Sequence, residues 1–279
     1  MMNTKNNLQI PSENGKSILL DYTYEPQETP LPVIIFCHGL KGFKDWGVWD
    51  LMGAAFAKAN YLFIKFNFSH NGGTPQQPID FPDLEAFGNN NYSLELRDLA
   101  RVLDWLETSD LPVNQKDINL IGHSRAGGIT TITAANDKRI NKLITLAGVA
   151  DYEERFPTGK ELEQWKTQGV YHVKNGRTHQ EMPFFYQMYE DFLENKAALD
   201  ILEAAAQLSI PHLIVHGTAD PTVDVGDAHR LKSASKYGQL SLIRNADHVF
   251  GASHPWQSAL MPADLRLAVQ CMMNFLNNK

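Results

Sequence analysis

Residues 118–135 read INLIGHSRAGGITTITAA. An apolar run leads into Gly122, a single serine follows at position 124, and small residues at helical spacing take over at once. A serine at that bend fills no core. Its small neighbours allow the backbone to turn sharply, so the hydroxyl is either presented for chemistry or marks an ordinary strand-to-helix turn. The pattern Gly-x-Ser-x-small recurs by chance in chains of this length, so its meaning depends on what surrounds it.

Working outward, short uninterrupted apolar runs recur at 33–37, 61–68, 142–148, 212–217 and 240–243, matching the run at 118–122. Continuous rather than alternating hydrophobicity predicts strands covered on both faces, as in a parallel sheet. An earlier strand is expected at 17–26, hairpin-paired with the segment before SENG. Helical spacing fills the gaps at 49–60, at 93–110 with a serine cap, and at 262–276 with proline in the first turn. Strand–helix alternation predicts an α/β fold with a doubly wound, mostly parallel sheet, in one domain over 1–279. Residues 151–205 break the rhythm: a helix-like stretch, a hairpin over 170–182 with a type I′ turn signal at Asn175-Gly176, then a dense aromatic run. They read as a small cap insertion above the carboxyl ends of the strands.

The chain has 279 residues, enough for a large buried core. A net charge of −7 with no clustered Lys/Arg run argues against a nucleic-acid surface, but leaves an anionic small substrate open. Cys37 and Cys271 form no disulfide or zinc pattern and are expected to be buried free thiols. The N-terminus lacks the apolar core of a signal peptide, and no apolar stretch reaches bilayer-spanning length. A cytoplasmic location, with no membrane partner, is the expectation.

Small residues two before and two after Ser124, between strand and helix, describe a nucleophile elbow. GHSRAGG in this setting resembles the α/β-hydrolase superfamily over nearly the whole chain, although Ala126 replaces the usual last glycine of the motif. The resemblance implies the order serine, acid, histidine. His248, in ADHVF just past the last strand, matches the family's catalytic histidine, with His254 read as a wall or surface residue. Asp220 matches the HG-x-x-D pattern that supplies the acid, with Asp224 and Asp227 read as loop or cap residues. The oxyanion loop falls on FCHGLKGFKDWG, so the backbone amides of Leu40 and Arg125 are the implied donors, and His38 braces the loop. This loop looks like that of dienelactone-hydrolase-like and prolyl-oligopeptidase-like esterases.

The Arg125 side chain has two readings, a substrate carboxylate's partner or a brace paired with a nearby acid, and the brace is favoured. Asn67, Ser69 and His70 end a strand and either face the site or form a plain loop. Phe43, Trp46, Phe184, Phe185 and Phe250 are expected to line an apolar substrate pocket, although core packing competes with that role. Together these readings point to a serine hydrolase of small carboxylic esters that needs no metal or organic cofactor. A thioesterase, a small-peptide hydrolase, a perhydrolase- or lyase-like offshoot and a non-catalytic ligand receptor on the same scaffold are the alternatives. Haloalkane dehalogenase chemistry is excluded, because it requires Asp where Ser124 stands.

Overall fold

The six apolar runs lie side by side, five of them hiding two apolar faces, whereas the run at 240–243 forms the sheet edge and stays partly exposed, with Leu242 39% exposed. The computed structural model describes residues 2–278. Its main sheet holds β1 (Asn3–Pro11), β2 (Ser17–Tyr24), β3 (Leu31–Cys37), β4 (Leu62–Asn67), β5 (Val113–His123) and β6 (Ile140–Leu146). Two short strands, β7 (Val170–Lys174) and β8 (Glu181–Phe185), form a separate hairpin; β9 (His212–Gly217) and β10 (Gly238–Ile243) complete the main sheet. The order is β1-β2-β4-β3-β5-β6-β9-β10. Every pairing from β4 onward is parallel, while β2 runs antiparallel to both β1 and β4.

The helices are α1 (Trp49–Lys58), α2 (Leu84–Gly88), α3 (Tyr92–Thr108), α4 (Arg125–Asn136), α5 (Gly159–Gln168), α6 (Gln187–Glu194), α7 (Ile201–Gln207), α8 (Val225–Ala234) and α9 (Ala263–Asn277). Strand alternation divides the core between the faces of the sheet. In β3, Ile34 and Phe36 join the cluster packed by α1 and α9, whereas Val33, Ile35 and Cys37 join the one packed by α3, α4, α7 and α8. This is the doubly wound α/β architecture expected from the alternation of runs. Among the described residues, no helix is long and apolar enough to cross a membrane.

Several local expectations are corrected. Helix α3 starts one residue before Ser93 and is capped by Asn91, whose Oδ1 accepts from the Leu94 amide at 2.8 Å; Ser93 is not the cap. Pro262 stands at the N-cap of α9 and not in its first turn. The hairpin exists, but its loop spans 175–180 and is no two-residue type I′ turn. Such a turn needs positive φ at both central residues, and neither Asn175 nor Gly176 has it. Instead Asn175 Oδ1 accepts from the Arg177 amide at 3.0 Å and the Thr178 amide at 3.3 Å, closing a side-chain-mediated turn. Cys37 is buried, which pushes its thiol well above its ordinary value, but Cys271 is only half-buried.

The segment between β6 and β9 contains α5, β7, β8, α6 and α7. Trp165 is its centre: the indole is 1% exposed, its N–H donates to the Phe184 carbonyl at 2.8 Å, and Tyr171 and Tyr186 meet it edge-on. Phe156, Met182, Phe184, Met188 and Phe192 merge into the α3/α4 side of the core, so this insertion shares a continuous apolar interior with the sheet. Helix α7 buries Ala204 and Ala205.

Candidate active site

Ser124 follows β5 directly and precedes α4, with φ 57° and ψ −123°. A non-glycine residue held there costs about 1–3 kcal/mol and persists only where its surroundings enforce it. They do. A Cβ on Gly122 would overlap Thr130 Oγ1 and the Ala126 carbonyl, so only glycine lets β5 and α4 meet this closely. The hydroxyl therefore stands at the carboxyl edge of the sheet.

The loop after β10 brings His248 to it: Nε2 lies 2.9 Å from Ser124 Oγ. On the other side of the ring, Nδ1 lies 2.8 Å from Asp220 Oδ2. A carboxylate can only accept, so Nδ1 carries the proton and Nε2 is left to accept from the serine hydroxyl. Asp220 follows β9, and its side chain is fully buried. Burial works to raise its carboxyl, but hydrogen bonds from His216 and His248 and from the Val223 amide outweigh that and hold it far below the usual carboxylate range. Its Oδ1 is also fixed by the amides of Thr222 at 2.8 Å and Val223 at 3.0 Å.

The loop after β3 passes close to the serine. A Cβ on Gly39 would stand 2.8 Å from Ser124 Cβ. Among the described residues, neither the Leu40 nor the Arg125 amide donates to a protein acceptor, and Arg125 opens α4, where helix amides are unpaired. Buried charges tether this loop: Lys44 Nζ lies 2.8 Å from Asp21 and 2.6 Å from Asp45, and the Lys44 amide donates to Asn67 Oδ1 at 2.6 Å. His38 Nδ1 donates to the Gly39 carbonyl at 2.9 Å, and burial holds the imidazole down at about 4, hence neutral. His254 accepts from the Gly47 amide at 2.9 Å and steadies the far end of the loop.

Two cavities flank the serine. The larger, about 450 Å³, runs beneath the insertion and is lined by Ser124, Arg125, His248, Tyr92, Tyr171 and Phe184 among others. The smaller, about 190 Å³, lies between Gly39–Gly42 and His248, with Trp46 and Trp49 in its wall. Of the five aromatics expected to line a pocket, Phe184 and Trp46 do. Phe43 does not, since it is fully buried against Phe81 and His254. Phe250 does not, being sealed into the α9 side of the core. Phe185 is next to Phe184 on β8 and so points the opposite way, onto Gly88 of α2.

Arg125 is a brace: Nη2 lies 2.8 Å from Glu95 Oε1, Nε donates to Oε2 at 3.2 Å, and the guanidinium covers the Tyr92 ring at 4.9 Å. Ser69 and His70 bond each other at 2.8 Å, and the Ser69 amide donates to Asp98 at 2.7 Å; neither lines the two cavities. Asp224 caps α8, and Asp227 accepts from the Ala150 amide. Sequence reasoning missed Glu95, Tyr92, Tyr152, Arg155 and Tyr171. Glu95 had a readable signal, a carboxylate inside the apolar stripe of α3. It also missed His123, whose Nε2 donates to the His248 carbonyl at 3.0 Å and so steadies the loop that carries the imidazole.

Residues 32–179 match the family model described as alpha/beta hydrolase fold. The chain belongs to that family. This α/β hydrolase is 20% identical to monoacylglycerol lipase ABHD6 of Bos taurus over 288 residues, 91% of the chain and 80% of that enzyme. It is 27% identical over 120 residues to an uncharacterised 31.7 kDa protein of Escherichia coli; that match spans 43% of the chain but only 38% of the relative's length. Among solved structures it is similar to Est1E from Butyrivibrio proteoclasticus with ferulic acid bound (TM-score 0.72, 16% identity, 96% of this chain and 97% of that one). At that identity, the likeness is one of fold.

Proposed function

We propose that this α/β hydrolase is a serine esterase of small carboxylic esters, working through an acyl-enzyme intermediate. The observation that carries the reading is the unbroken relay from Ser124 Oγ through His248 to Asp220. A serine hydroxyl is a weak nucleophile until a base takes its proton. His248 Nε2 takes it as Oγ bonds to the ester carbonyl carbon, and Asp220 stabilises the resulting imidazolium. The amides of Leu40 and Arg125 receive the charge on the carbonyl oxygen. His248 then returns the proton to the departing alcohol as the ester C–O bond breaks. Water, deprotonated by the same imidazole, releases the acid and restores the serine.

The lipase relative and the ferulic-acid complex of Est1E favour an acyl substrate. The larger cavity suits a compact molecule. Ser124→Ala is expected to lower kcat on 4-nitrophenyl acetate by about 10⁴ or more, because triad members act as a unit. A fluorophosphonate should label Ser124 alone, as read by peptide mass spectrometry. Labelling at another serine, or no labelling of a preparation that turns over ester, would remove Ser124 from this role. A folded protein that neither turns over ester nor takes the label would overturn the esterase reading.

A further inference from the structure

The large cavity carries an unbalanced charge. Three of its lining residues are cationic, Lys41, Arg125 and Arg155, and among the described residues no Asp or Glu lines it. The acids that balance the arginines stand behind them. Glu95 is 4% exposed and is occupied by Arg125 and by Asn90, whose Nδ2 donates at 2.8 Å. Asp227 is likewise 4% exposed, with Arg155 at 2.7 Å and Arg230 at 2.6 Å. Each pair is thus a dipole whose positive end meets the cavity. Lys41 has no carboxylate partner among the described residues.

A brace alone does not require this arrangement. Arg125 keeps a spare edge: Nε and Nη2 face Glu95, while Nη1 has no acceptor among the described residues. Arg155 is about one-third exposed; Nη2 donates to Asp227 and Nη1 to the Thr222 carbonyl at 3.3 Å, which leaves the other three of its five N–H groups without an acceptor among the described residues. Apart from Ser124, Thr222 and His248, the rest of the wall is aromatic or aliphatic, with Tyr92, Tyr171, Phe184 and Met188. Guanidinium groups in such low-dielectric surroundings bind carboxylates by charge-assisted hydrogen bonds far better than they do in water. On a chain of net charge −7, a cationic cavity also concentrates field where the rest of the surface repels anions.

We propose that this cavity selects organic anions, and that the substrate carries a carboxylate on the half that enters it, held by Arg155 and Lys41 with the spare edge of Arg125. The word substrate rests on the esterase reading; the selection of anions does not.

The test separates the two. In the acyl arm, the mono-4-nitrophenyl ester of glutaric acid is compared with its methyl-capped neutral diester. In the alcohol arm, butyryl 4-hydroxybenzoate is compared with its methyl ester. In one arm, kcat/KM is expected to favour the anion by about tenfold or more, the scale of one hydrogen bond to a charged group. Arg155→Gln should cut that preference at least fivefold. It leaves Asp227 its Arg230 and Ala150 partners, so the fold survives. Calorimetry on Ser124→Ala adds a readout without turnover: 3-phenylpropanoate should bind at least tenfold tighter than 3-phenylpropanamide. No preference in either arm, a preference untouched by Arg155→Gln, or equal binding of acid and amide would overturn the inference while leaving the esterase reading intact. Tighter binding of the acid by a protein that cleaves no ester would do the reverse.

Discussion

At Asp220 and Asp224 the local chemistry separates two residues that the sequence presents as near equals. Asp220 reaches His248, whereas Asp224 Oδ1 accepts from the Gly226 amide at 2.7 Å and caps a helix. Asp220→Asn is expected to lower kcat by about 10⁴, since an amide favours the wrong imidazole tautomer. Asp224→Asn should cost under tenfold in kcat and less than about 1 kcal/mol in stability, because Asn caps nearly as well. Steady-state kinetics on both variants, with circular dichroism for folding, decides it; comparable losses would mean the loop is mobile enough to present either acid. The serine, histidine and aspartate were legible because each sits within a few residues of a strand end, where sequence and space nearly coincide. The pocket aromatics were not. Whether Phe43 or Phe250 faces a cavity or a core depends on partners far away in the chain, such as Phe81 and Leu265.

Among the elements, the sheet was legible because burial on both faces leaves one kind of pattern, an unbroken apolar run. The insertion was less so. Its strands β7 and β8 are five residues each, and their register depends on a six-residue loop whose closure is a side-chain matter. The start of α3 was misread for a related reason: Asn91 and Ser93 are both good caps, and tertiary packing of Tyr92 against Tyr152 at 3.8 Å selects the earlier one. Trp165 holds the insertion together, so Trp165→Ala is expected to cost about 3–5 kcal/mol locally, with loss of its hydrogen bond to the Phe184 carbonyl. Limited proteolysis should then cut preferentially between residues 159 and 186 while the sheet stays intact, and KM should rise more than kcat falls. Cleavage spread evenly along the chain would show that insertion and sheet unfold together.

For the whole molecule, buried imidazoles set the response to acid. Burial holds His38 down at about 4, and His123 and His212 at about 3. Unfolding returns each to roughly 6.5, so the unfolded chain binds more protons and stability falls as pH drops from about 6.5 toward 4. Asp98 opposes this: burial raises its carboxyl to about 7, so the native state keeps a proton that the unfolded chain releases. His70 and His254, also held down by burial, add to the imidazole side and Glu95, raised by burial, to the other; the imidazoles outnumber the carboxyls, so stability falls on acidification. Urea midpoints at pH 6.5 and pH 5 measure it, and a midpoint that rises on acidification would contradict the assignment. The depressed carboxyl of Asp220 adds a further loss only below about pH 4. The border of the sheet has a consequence of another kind. Strand β1 is exposed and polar along most of its length, is bulged between Lys5 and Leu8 with Asn7 at φ 55°, and ends in Pro11. Each of these spoils the straight row of donors and acceptors that an incoming strand would need. β2 behind it carries the buried apolar run Ile18–Leu20. A strand that touches neither cavity beside the serine thus guards the molecule against edge-on aggregation.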